Sequence, residues 1–96
     1  MPTYIILWNW TDEGIRNVKK SPEELALFRK TVENCGGKVE AFDYTMGEYD
    51  GVARVEVGTD EAWMRIAYTL GASGNMRTRT LKALSEVEAV KIINQL

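Results

Sequence analysis

"KVEAFDYTMGEYDGVARVEV", Lys38 to Val57, holds two β-strand patterns on either side of a glycine-bearing turn, and that pairing decides the fold. The second run alternates Ala53, Val55 and Val57 with Val52, Arg54 and Glu56, the two-residue period of a strand with one buried face. In the turn, "TMGEYDG" (Thr45 to Gly51), Gly47 and Gly51 let the chain reverse, Gly47 with a positive φ, and Asp50 is placed to accept backbone N–H groups.

Outward from this hairpin the pattern repeats. On the N-terminal side, "SPEELALFRKTVENCGG" predicts a helix. Ser21 stands as its N-cap, Pro22 at its first position, and Glu24 is placed to close a capping box. Leu25, Phe28, Val32 and Cys35 share one face, and Gly36 ends the helix in a left-handed conformation. Cys35 is expected as a small buried filler. On the C-terminal side, "TDEAWMRIAYTLGAS" predicts a second helix, capped by Thr59 or Asp60, with Trp63, Ile66, Ala67 and Leu70 on its apolar face.

At the start of the chain, "TYIILWNW" (Thr3 to Trp10) is β-branched and aromatic, and nearly continuous in apolar character, as a central strand is. "TDEGIRNVKKSP" then reads as a long connection. Near the end, "NMRTRTLKAL" predicts a fourth strand, and "SEVEAVKIINQL" a short helix with Ser85 and Glu88 as a capping box. The order β-α-β-β-α-β plus a helix predicts an α+β ferredoxin-like domain over residues 1–96, a four-stranded antiparallel sheet with helices on one face. Its other face is bare. With a first strand as apolar as this one, the bare face calls for a cover: a second copy packed sheet to sheet, or the C-terminal helix.

Composition bounds function more than it defines it. A net charge of −2 offers no electrostatic reason to expect nucleic acid. No run approaches the roughly 20 apolar residues of a membrane helix, and the N-terminus does not resemble a secretory signal, so a cytoplasmic protein is expected. The single cysteine excludes an internal disulfide, and the absence of histidine excludes an imidazole-based triad and histidine-ligated zinc or haem. No spacing of carboxylates demands a metal, so neither metal nor cofactor is expected.

With these elements placed, the chain resembles the GYD-domain family of the dimeric α/β-barrel group. The resemblance rests on "MPTYIIL", "TDEGIRNVKKSP", "GGKV", Gly47, Tyr49 and Asp50 of "MGEYD", "DEA" and "GNMRTRTLKAL" in that order. It implies a homo-oligomer with this fold and supplies no reaction. A more distant similarity is to the effector-binding domains of the feast/famine, or leucine-responsive, regulators. It implies that Gly47, Tyr49 and Asp50 line a small-molecule site at a subunit interface.

Three groups of residues are candidates for function. The turn is either structural or a binding lip, with Tyr49 offering apolar area and one hydroxyl. Arg77 and Arg79 alternate with Thr78 and Thr80, so one strand face is cationic and the other carries hydroxyls. The arginines suit a carboxylate or phosphate, although pairing with Glu56 or Asp43 is the commoner fate. Trp8 and Trp10 share a face and, with Asn17, can wall an apolar pocket. The function expected is binding of a small anionic or aromatic molecule between sheet, first connection and subunit interface. The alternatives are a cofactor-independent oxygenase or isomerase, in which Tyr49 or Asp50 handles a proton, and a purely structural interaction module.

Overall fold

The computed structural model describes residues 2–96. Four strands, β1 (Thr3–Trp10), β2 (Lys38–Tyr44), β3 (Gly51–Glu56) and β4 (Met76–Ala83), form one antiparallel sheet in the order β2-β3-β1-β4. The apolar first strand is central, as its composition predicts. The helices are α1 (Asp12–Arg16), α2 (Ser21–Asn34), α3 (Asp60–Ala72) and α4 (Glu86–Ile93). This is the expected ferredoxin-like α+β arrangement, with α2 packed over β2 and α3 over β4.

The strand period decides what is buried. Tyr4, Ile6 and Trp8 of β1 face the helices together with Ala53 and Val55 of β3, where they meet Phe28 and Val32 of α2 and Trp63 and Ile66 of α3. Each such side chain, fully buried, contributes about 1.5–3 kcal/mol. Tyr4 and Trp63 stack with ring centroids 5.6 Å apart, fastening α3 to the sheet centre. The alternate residues Ile5, Leu7 and Val52 lie half-buried on the open face, beside an exposed Leu81. A register irregularity between Val39 and Ala41 interrupts the β2–β3 ladder, and there Glu40 pairs with Arg54 at 3.0 Å.

Several local expectations are corrected. The first connection is not irregular: Thr11 caps α1 by accepting from the Gly14 N–H at 2.9 Å, and a 3-10 turn, Val18–Lys20, runs directly into α2. Ser21 is therefore already helical at φ −55°, ψ −41°, and cannot serve as the N-cap. A glycine is needed at position 14 for packing, because a Cβ there would come within 1.8 Å of the Asn75 carbonyl oxygen. Cys35 is exposed, since it is the cap residue beyond the last turn of α2 and the core at that end is filled by Val32 and Val57. Gly51 lies within β3 and has no positive φ; Gly47, at φ 115°, is the residue that turns the chain.

The C-terminal helix forms with its capping box, Ser85 and Glu88, in place, yet none of its residues is buried. Val87, Val90, Ile92 and Ile93 are all exposed. Within one chain, these apolar side chains of α4 stay uncovered.

Candidate functional site

Because α2 and α3 sit over opposite halves of the sheet, a cleft of about 240 Å³ opens between them. Leu25 and Phe28 form one wall and Ile66 and Leu70 the other, while Ile6, Trp8 and Ala53 floor it. Two polar ties involve its lining residues Ser21, Glu24 and Asn75. Ser21 and Tyr44 share a hydroxyl–hydroxyl hydrogen bond of 2.7 Å that ties the start of α2 to β2. Asn75 Nδ2 donates to Glu24 Oε1 at 2.9 Å, tying α2 to the loop that precedes β4. The sequence offered no sign of these ties, since their partners lie 23 and 51 residues apart.

Trp8, one of the residues of the floor, is 1% exposed. Trp10 meets it edge-on at 4.9 Å and Tyr44 at 5.6 Å, with Phe42 tilted at 5.7 Å. Its cross-strand neighbours are Gly51 on β3 and Thr78 on β4. The indole lies so close over Gly51 that a Cβ there would come within 2.0 Å of Trp8 Cζ2. Trp8 Nε1 is buried and finds no acceptor among the described residues.

The structure divides the residues singled out in the sequence. Trp8 and Thr78 line the cleft together. Trp10 packs on Trp8 and is half-buried. Asn17 caps the end of α1 through Glu13, with its side-chain amide 3.1 Å from the Glu13 carbonyl oxygen. Arg77 stands on the opposite, open face, across from Asn9. Among the described residues neither Arg77 nor Arg79 forms an ion pair; the ion pairs are Arg54–Glu40 and Lys82–Asp60.

Asp50 is occupied with the backbone. Its Oδ2 accepts from the Trp10 N–H at 2.8 Å, and its own N–H donates to the Trp8 carbonyl oxygen at 2.9 Å, so its side chain extends the β1–β3 ladder past Gly51. Around it, Thr45 Oγ1 donates to the Tyr49 carbonyl oxygen at 2.6 Å and Asn9 Nδ2 to that of Glu48 at 2.9 Å. The turn is thus bound at four residues, with Tyr49 half-buried beside it. That network engages one of the two Asp50 carboxylate oxygens.

Two groups with clearly shifted titration lie elsewhere, at the start of α3. Burial, and then the hydrogen bond it donates to Asp60, push the Tyr4 hydroxyl up to about 12. That bond, followed by the one from Lys82 Nζ at 3.1 Å, holds the Asp60 carboxyl below its ordinary value. The trio anchors the helix N-terminus to the sheet. Among the described residues no three Asp, Glu or Cys side chains converge to hold a metal, and no helix is long and apolar enough to cross a membrane.

Known proteins similar to this chain bear on the same geometry. The chain is 31% identical over 91 residues to a Thermus thermophilus protein named glutamine synthetase and cystathionine beta-lyase binding protein, covering 94% of this chain and 96% of that one. Among solved structures, FFRP-DM1 superposes with a TM-score of 0.62 at 22% identity, covering 88% of this chain and 100% of that chain. The leucine response regulatory protein of Mycobacterium tuberculosis superposes with a TM-score of 0.56 at 19% identity over 88% of this chain, which spans 51% of that regulator. The likeness to these two structures is one of fold. Residues 4–93 match the GYD domain model, and the chain belongs to the GYD-domain family.

Proposed function

We propose that this chain is a self-associating domain that binds a small molecule in the cleft between α2 and α3. The observation that carries this reading is the cleft itself: its lining is mostly apolar, with a few hydroxyl, amide and carboxylate groups among it. A concave apolar site with a few convergent polar groups is the usual form of a small-molecule site, and about 240 Å³ lies just below the common range of 300–1,000 Å³. Kinship with a protein named as a binding protein supports binding over catalysis. Self-association is supported by the open sheet face with Ile5, Leu7, Val52 and Leu81, and by the uncovered apolar side of α4.

Native mass spectrometry of the protein as purified tests the binding reading, with a retained small mass expected in the wild type and lost in Leu70→Trp, which fills the cleft. If the wild type carries no such mass, and no member of a metabolite library raises its melting temperature, the reading falls.

A second reading, docking on another protein, is favoured by the same exposed side of α4 and by Met46, 99% exposed at the tip of the turn. The name of the Thermus relative suggests glutamine synthetase and cystathionine β-lyase as the enzymes to try first. Co-elution with either enzyme, abolished by deleting residues 85–96 or by Met46→Asp, is the expected result; separate elution of the wild type counts against it.

A further inference from the structure

The open face of the sheet carries an ordered pattern of charge, and contacts on the helix-covered side fix its phase. Trp63 Nε1 donates to Thr80 Oγ1 at 3.0 Å, and Phe42 and Tyr44 pack on Trp8, so the alternate residues of β4 and β2, Arg79 and Asp43 among them, belong to the open face. Register then aligns them. Arg79 stands opposite Leu7, Leu7 opposite Val52, and Val52 opposite Asp43, so one row across the four strands reads cation, apolar, apolar, anion.

Neither end of that row is paired within the chain. Arg54 on β3 is taken by Glu40 at 3.0 Å, whereas Arg79 and Asp43 are exposed and form no ion pair among the described residues. They do not reach each other, because three strand spacings of about 4.8 Å separate β4 from β2.

A second copy supplies what each end lacks. When two such sheets stack face to face about a twofold axis parallel to the strands, β4 of each copy lies over β2 of the other, and β1 over β3. The row is then its own complement. Arg79 comes over Asp43 of the partner subunit, twice by symmetry, and Leu7 over Val52 of the partner subunit. In the adjoining rows Leu81 faces the partner's Ala41 and Ala83 the partner's Lys38, so like charges do not meet there. An axis perpendicular to the strands lays β4 on β4 instead, where the open-face residues Arg77, Arg79, Leu81 and Ala83 include no carboxylate.

We propose that two copies of this chain stack sheet on sheet about an axis along the strands, oriented by the ion pair between Arg79 of one copy and Asp43 of the partner subunit. The proposal rests on the self-association reading: the apolar stripe holds the copies together and the ion pairs choose the axis. Sedimentation equilibrium of the wild type, Arg79→Asp, Asp43→Arg and the double variant tests it. Both side chains are exposed, so each variant is expected to keep the wild-type circular dichroism spectrum. Either single change sets like charges at both contacts and is expected to weaken self-association about tenfold or more. In an equimolar mixture of the two single variants, a heterodimer has opposite charges at both contacts again. That mixture and the double variant are each expected to associate within about threefold of the wild type.

Single variants that associate as tightly as the wild type, or a mixture that stays apart, overturn the proposal and leave self-association to some other packing. A wild type that is monomeric at micromolar concentration removes the self-association reading itself. If a single variant does not fold, the wild type alone decides. Its dissociation constant is expected to rise about fivefold between about 0.05 and about 0.5 M sodium chloride, and a constant insensitive to salt overturns the pairing.

Discussion

The indole of Trp8 occupies the space in which a side chain at Gly51 would stand, with Cζ2 2.0 Å from the position of a Gly51 Cβ. The two residues are cross-strand partners on β1 and β3, so the glycine lets the largest side chain of the sheet lie over its neighbour. Gly51→Ala forces that ring out of place and is expected to cost about 3 kcal/mol, the upper part of the range for overpacking a core. Denaturant unfolding measures it. Trp8→Leu should cost less in the Gly51→Ala background than in the wild type, because the two changes relieve each other; additive costs would show that the ring has another resting place.

Asp50 supports the same region from the backbone side. Losing its carboxylate leaves the Trp10 N–H without its 2.8 Å acceptor, and a hydrogen bond to a charged group contributes about 1.5–3 kcal/mol. Asp50→Ala is expected to lower stability by about 2 kcal/mol and to speed hydrogen exchange at Trp10. Asp50→Asn keeps an acceptor and should cost about half as much. Stability unchanged in Asp50→Ala would contradict the structural role assigned to this carboxylate.

The Tyr4, Asp60 and Lys82 trio predicts two limbs of pH dependence. Asp60 titrates below its ordinary 3.8 when folded, so its contribution is present above that pH and is lost as pH falls through the folded value. Tyr4 is raised from 10.0 to about 12, so its contribution is complete below pH 10 and is lost as pH rises from 10 to about 12. Urea midpoints recorded across both windows should fall at each end. Tyr4→Phe should remove the alkaline limb and weaken the acid one; an unchanged alkaline limb would assign it to another tyrosine or to lysine.

On the open face, Leu81 is 52% exposed and lies across from Ile5 at the centre of the sheet. A charge there should disrupt sheet-to-sheet packing without touching the helix-covered core. In Leu81→Glu, self-association measured by sedimentation equilibrium is expected to weaken at least tenfold, with the circular dichroism spectrum unchanged. A wild type that sediments as a monomer at micromolar concentration would remove the basis for self-association.

The fold could be read from the sequence wherever a local period met a local signal. The alternation through Val57, the apolar run of β1, the Thr59 cap and the Ser85–Glu88 box each specify an element by steric and hydrogen-bonding rules that act over a few residues. The reading failed where another element overrode the local pattern. Ser21 followed by Pro22 resembles a helix start, but the 3-10 turn before it supplies helical geometry one residue early and leaves the serine hydroxyl free for Tyr44. Gly14 lies in the stretch read as a long connection, and its absent side chain admits the Asn75 carbonyl against α1.

The sequence by itself determined the order of the four strands and of α2, α3 and α4, and with it the ferredoxin-like arrangement, because periodicity and capping depend on neighbours a few residues away. Only the tertiary structure decided which face each candidate occupies. A strand period of two places Trp8 and Thr78 under the helices and Arg77 on the open face, but the pattern alone does not say which set the helices will cover. The same holds for the unmet Trp8 N–H and for the ties of Ser21 to Tyr44 and Glu24 to Asn75. Hydrogen-bond satisfaction and cavity shape arise from groups far apart in the chain, and they exist only once the helices have been set on the sheet.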